Sequence, residues 1–156
     1  MITATLTYLV DDQKVCLALK KKGFGVGKYN GVGGKRNSEE DIVDTAVRET
    51  FEEICVNVKP QDLTEVGQLN FQFNQKPENE FYVYVYTTKR WEGEPVETEE
   101  MCPYWFGHSQ LPYEKMWCGD SHFLPDILSG KYVKATILFS ADGDSVIRYQ
   151  KEAHPI

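Results

Sequence analysis

The chain has 156 residues, 41% of them hydrophobic and 26% charged, and its 17 Lys and Arg against 24 Asp and Glu leave a formal charge of −7. That length suits one domain with an ordinary core, and the acidic balance excludes a protein that grips nucleic-acid polymer through clustered cations. No apolar run approaches the roughly 20 residues that cross a bilayer, and the opening Met1-Ile2-Thr3-Ala4-Thr5 lacks a basic start and cleavage site, so a soluble, cytoplasmic protein is expected.

In chain order, Ile2 to Val10 and Lys14 to Leu19 read as strands around the turn residues Asp11-Asp12-Gln13, which predicts an opening hairpin. Lys20 to Arg36, KKKGFGVGKYNGVGGKR, carries six glycines, too many for an element interior, and predicts a long functional loop. Ser38 and Asp41 have capping-box spacing, and Val43, Val47, Thr50, Phe51 and Ile54 recur at helical period, so a helix is expected to run to about Ile54. Leu63 to Phe73 and Glu80 to Lys89 read as strands; the second, apolar or aromatic on both faces, is expected to be central. Trp91 to Tyr104 reads as an acidic loop. A short helix is expected between Asp120 and Gly130, then a hairpin of Tyr132 to Ser140 with Val146 to Tyr149, turning on Asp142-Gly143-Asp144. The order predicts an α/β fold, a mixed β-sheet sandwiched between helices. Cys16, Cys55, Cys102 and Cys118 show no ligand spacing and are expected to be free thiols in a reducing compartment.

Chemistry concentrates in the predicted first helix. Glu49, Glu52 and Glu53 stand at i, i+3 and i+4, which puts three carboxylates on one face with neighbouring Cβ atoms about 5–6 Å apart. Such a stripe is either solvated or holds cations. Glu52 and Glu53 sit at the helix C-terminal end, where the macrodipole opposes anions, and the glycine loop can bring backbone close to a ligand on the same side; both favour a hard cation such as Mg²⁺, with Mn²⁺ as the alternative.

Gly34, five residues, Glu40, seven residues, Arg48-Glu49, two residues, Glu52-Glu53 resembles the Nudix box of hydrolases that act on nucleoside diphosphates linked to another moiety. Thr50 replaces the usual aliphatic residue and Cys55 the usual glycine, which places a β-carbon where the backbone can be left-handed. The resemblance implies that Glu49, Glu52 and Glu53 bind metal with a backbone carbonyl near Gly33, that Arg48 orients the carboxylates, and that Glu40 braces loop and helix.

Most of the chain is further similar to the oxidised purine nucleoside triphosphate hydrolases related to MutT. The resemblance is carried by the glycine loop, VGQLNFQF, the segment Pro95 to Met101 with Trp105-Phe106, and Met116-Trp117 followed by Asp120-Ser121. It implies that Glu100 is a further metal ligand or the catalytic base, with Glu53 the other candidate base. It also implies that Trp117 stacks on a purine whose edge Asp120 reads, and that Asn30 contacts the base. Phe24, Phe71 and Phe73 line the slot, Thr5 and Lys20 border it with Gly33 and Gly34, and Lys35 and Lys20 meet phosphate charge. Where this family has two adjacent acids, the chain has Gly119 and Asp120, so an 8-oxo-guanine nucleotide is the expected substrate. The implied reaction is Mg²⁺-dependent hydrolysis of a small nucleotide triphosphate to monophosphate and pyrophosphate by a monomer. Other Nudix substrates (dinucleoside polyphosphates, nucleotide sugars, methylated purine nucleotides) and a non-catalytic Nudix binding module are the alternatives.

Overall fold

Alternating apolar residues and turn chemistry resolve into eight strands and two helices in a computed structural model that describes residues 1–156. They are β1 (Ile2–Leu9), β2 (Lys14–Lys20), β3 (Tyr29–Asn30), α1 (Ile42–Ile54), β4 (Thr64–Phe73), β5 (Phe81–Thr88), β6 (Met101–Gly107), α2 (Leu124–Leu128), β7 (Lys131–Phe139) and β8 (Val146–Pro155). Five form a sheet in the order β1-β5-β4-β7-β8, and three form a second sheet, β3-β2-β6. The larger sheet is mixed: β1 with β5 and β4 with β7 run parallel, whereas β4 with β5 and β7 with β8 run antiparallel. Parallel neighbours need long crossovers. The β4 to β7 connection carries β5, β6 and α2, and the β1 to β5 connection carries the glycine loop and α1. The structure agrees with the α/β, mixed-sheet expectation, with β5 in the sheet interior.

Three local expectations are corrected. β1 and β2 do not form a hairpin ladder: β1 joins β5 and β2 joins β6, leaving only a Val10–Val15 bridge. The predicted acidic loop ends early, because Met101 to Tyr104 belongs to β6. The capping box does not form. Asp41 is the N-cap and its side chain makes no capping bond, while Glu40 is drawn away to Arg48 and Thr45. The helix expected to run to about Ile54 does end there, and its inward-facing residues are Thr45, Ala46, Thr50, Glu53 and Ile54.

Two features hold the glycine loop and the acidic helix in place. Residues 31–36 of the loop run antiparallel along the outer edge of β1, with Thr5 N–H donating to Gly34 O (3.0 Å), Thr7 N–H to Val32 O (2.6 Å) and Arg36 N–H to Thr3 O (2.9 Å). These bonds satisfy an edge that would otherwise be open. The C-terminal end of α1 is anchored between the sheets by Ile54, packed with Leu9, Cys16, Ala18, Val32 and Met101. Full burial of Ile54 is worth about 1.5–3 kcal/mol. Loop and helix are thereby clamped to opposite sides of a common seam. All four cysteines are free thiols.

Candidate active site

Arg48 organises the acidic helix. Its Nε and Nη2 donate to the two oxygens of Glu40 (2.9 and 3.0 Å), Nη2 also donates to Lys35 O (3.1 Å), and Nη1 donates to Glu49 (2.7 Å) and Glu52 (3.2 Å). Glu40 further accepts from Thr45 Oγ1 and from the Asn37 N–H. The Arg48 hydrogen bonds, then that of Thr45, hold the Glu40 carboxyl down at about 2. One guanidinium thus ties the glycine loop to both turns of the helix that carry the acids.

Glu53 and Glu49 are far from a solvated stripe. Glu53 is 3% exposed and accepts one hydrogen bond, from Gly33 N–H at 2.8 Å. Burial is the main reason its carboxyl rises to about 7, the Gly33 bond opposes the rise, and the Glu49 charge adds to it. Glu49 is also raised, again chiefly by burial, with Arg48 opposing. Its carboxylate lies where a β-carbon on Gly34 would come within 2.5 Å of the carboxyl carbon, and a β-carbon on Gly33 would fall 1.8 Å from Thr5 O. Only glycine admits this approach of loop to helix and strand. Glu100 is exposed, but its segment is tied in: Thr98 Oγ1 donates to Glu53 O (2.8 Å) and accepts from Glu100 N–H (3.2 Å).

As held, no three acidic side chains converge into a cage for an ion. The hydrogen bonds explain this, since Arg48 draws Glu49 and Glu52 together while Gly33 holds Glu53 to the loop. The chemistry of the set nonetheless fits a hard divalent cation. It offers only carboxylate and carbonyl oxygen, and although Arg48 compensates Glu49, burial still raises both Glu49 and Glu53 and each adds to the strain on the set as an anion.

Across the glycine loop from these acids lies a cavity of about 460 Å³. Its wall brings together Thr5, Lys20, Phe24, Asn30, Gly33, Gly34, Lys35, Phe71, Phe73, Trp117 and Asp120, residues drawn from separate stretches of sequence. Trp117 is flanked by Phe24 (ring centroids 5.1 Å, tilted) and meets Phe139 (6.0 Å) and Phe73 (6.3 Å) edge to face, which fixes the orientation of its ring in the wall. Asp120, in a single 3₁₀ turn after Trp117, is 3% exposed, and its Oδ2 has no hydrogen-bond partner. Burial lifts its carboxyl to about 8, with Lys28 opposing. Asn30 is oriented by its own backbone neighbour: Oδ1 accepts from Gly31 N–H (2.9 Å), which turns the amide nitrogen away as a free donor. The arrangement is a largely apolar cavity with a few directed polar atoms, bordered by Gly33 and Gly34 on the side of the acids.

Residues 2–127 match the NUDIX domain. The chain is 37% identical over 145 residues to an oxidized purine nucleoside triphosphate hydrolase of Mus musculus, covering 93% of this chain and 90% of the relative. To the protein of that name from Danio rerio it is 38% identical over 127 residues, 81% and 80% of the two chains. The chain belongs to the Nudix hydrolase family. Its fold matches that of a MutT protein from Bacillus halodurans with a TM-score of 0.83, at 22% identity over 97% of this chain and 98% of the other. Nudix hydrolases generally use a divalent metal.

Both departures from the Nudix box find a structural account. Thr50 is buried but donates to Ala46 O at 2.7 Å, so its hydroxyl carries no unpaired donor into the core. Cys55 is in the left-handed region, φ +61°, closing α1 with its N–H on Phe51 O, and therefore keeps the glycine conformation at a cost of about 1 kcal/mol. Several lining residues escape sequence reasoning: Ile2, Ala4 and Leu6 of β1, Phe81 and Val83 of β5, Met101, and Phe139. Their signal is the period-two alternation, which reads equally as core. Lys28 and Thr98 lie within segments that carry the resemblance, but nothing in the sequence singles either out.

Proposed function

We propose that this Nudix hydrolase cleaves oxidised purine nucleoside triphosphates such as 8-oxo-dGTP to the monophosphate and pyrophosphate, which removes damaged precursors from the nucleotide pool. The observation that carries the proposal is the continuity of one aromatic slot, ending in Asp120 and Asn30, with a desolvated carboxylate helix across Gly33 and Gly34. The names of the relatives from Mus musculus and Danio rerio support the same substrate class.

Trp117 stacks on the base with Phe24 and Phe73 as walls, and stacking supplies affinity for any purine. Asp120 and the Asn30 amide read the edge, and Thr5 and Phe71 close the slot. Lys20 and Lys35 sit in the same wall near the glycines, where they offset phosphate charge. Glu49, Glu52 and Glu53, with the Gly33 carbonyl and Glu100, would hold Mg²⁺ or Mn²⁺; when bound, the ion acidifies water and neutralises charge on the phosphates. Glu53 or Glu100 takes the proton from the attacking water. Thr98 Oγ1, bonded to the Glu53 carbonyl and the Glu100 N–H, ties the segments that carry the two candidate bases together. Arg48 keeps Glu49 and Glu52 oriented through its hydrogen bonds. The protein works as a monomer on a small nucleotide, not on nucleic-acid polymer, and in the cytoplasm.

The test is a magnesium-dependent panel at sub-saturating concentration, with products separated by anion exchange. The expected result is release of pyrophosphate from 8-oxo-dGTP with a kcat/KM well above that for dGTP. Equal efficiency on the two would contradict the slot assignment, and turnover confined to dinucleoside polyphosphates or nucleotide sugars would replace it.

A further inference from the structure

We propose that Lys28 is a specificity-determining residue of the base slot, set with Asp120 so that the slot favours oxidised purines bearing a 6-carbonyl over those bearing a 6-amino group. The inference rests on the oxidised-purine function proposed for the same site. Lys28 leaves the glycine loop just before β3, lines the cavity, and places its ammonium 5.4 Å from the ring centroid of Trp117. It therefore lies over the ring on which the base stacks. Lys28 is also the charged side chain that acts on Asp120, whose buried Oδ2 is unpartnered.

Counting donors and acceptors gives the selectivity. Among the wall residues Asp120 is the only acid. The Asn30 amide nitrogen and the Lys28 ammonium are both donors, so the polar end of the slot is donor-rich. A second carboxylate next to Asp120 has no room: a β-carbon on Gly119 would lie 2.9 Å from Phe139 Cζ and 3.3 Å from Ile137 Cδ1, and both side chains are buried core. A 6-carbonyl accepts from Lys28 or the Asn30 amide, whereas a 6-amino group can pair only with the Asp120 carboxyl and leaves the Lys28 and Asn30 donors facing it without an acceptor.

The experiment compares 8-oxo-dITP with 8-oxo-dATP, which differ only at the 6-position and N1, and includes 8-oxo-dGTP as reference. kcat and KM are measured for the wild type, Lys28→Met and Lys28→Arg, each matched to wild type by circular dichroism, with Lys28→Gln taking the place of Met if the apolar side chain disturbs the loop. A hydrogen bond from a charged donor predicts that Lys28→Met lowers kcat/KM about tenfold or more for both 6-carbonyl substrates, mainly through KM. It should leave 8-oxo-dATP within about twofold, and Lys28→Arg should keep the wild-type preference. Equal losses on all three would assign Lys28 to phosphate attraction and overturn the proposal, as would no loss on any. A wild type that hydrolyses no oxidised purine triphosphate would overturn the functional reading and this one together.

Discussion

Replacing Asp120 by Asn removes a titrating group and keeps its shape. The carboxyl is held at about 8 against an ordinary 3.8, because the side chain is 3% exposed. A carboxyl raised in the folded state contributes stability that is complete below 3.8 and is lost as pH climbs through 8. Each pH unit in that window is worth about 1.4 kcal/mol, so between pH 5 and pH 7 the wild type should lose about 2–3 kcal/mol that Asp120→Asn does not. Urea denaturation of both proteins at pH 5, 6 and 7, in chelator, isolates this change, since Glu53 and every other group titrate alike in the two. The difference in unfolding free energy should move by that amount in favour of the variant. A difference that stays flat from pH 5 to 7 would show that Asp120 is ionised and solvated, and the neutral base-reading acid would have to be abandoned.

Other perturbations address the scaffold. Cys55→Gly relieves the left-handed β-carbon and should stabilise by up to about 1 kcal/mol, a rise of roughly 2–4 °C in Tm for a chain of this size, with turnover unchanged; an unchanged or lower Tm in calorimetry would refute the strain. Gly34→Ala drives a β-carbon into the Glu49 carboxylate and should cost at least tenfold in kcat while Tm falls little, because one flexible side chain can give way. Gly33→Ala strikes Thr5 backbone and should prevent stable folding, seen as loss of a cooperative melt. Arg48→Lys keeps the charge but loses the two-pronged grip on Glu40; near-wild-type turnover in that variant would show that the Arg48 network does not orient the acids.

What the sequence makes legible depends on what each signal encodes. Local alternation locates β4, β5 and β7 and the start of β8, where β4–β5 and β7–β8 pair chain neighbours, but it does not show that β8 runs on past Tyr149 to Pro155. The turn at Asp11 to Gln13 marks a reversal, but a reversal does not say that the two strands must share a sheet, and β1 pairs instead with the distant β5, Ile2 opposite Phe81. β6 is hidden because Pro103 and the acidic run before it suppress the strand pattern, although its pairing with β2 supplies the long-range support. The spacing of Glu49, Glu52 and Glu53 is visible. Their burial is not, because it depends on how closely Gly33 and Gly34 let the loop approach. The slot is the reverse case: resemblance names its polar ends, while the strand residues between them look like any core.

The claim on which all else depends is that the acids of α1 hold divalent ions against a polyphosphate. Stopped-flow release of pyrophosphate from 8-oxo-dGTP, with Mg²⁺ titrated into the chelated wild type and the Glu53→Gln variant, tests it most directly. The account predicts strictly metal-dependent turnover in the wild type, and in the folded variant a loss of several orders of magnitude that added Mg²⁺ does not restore. Metal-dependent hydrolysis that survives in Glu53→Gln at the wild-type rate would contradict it.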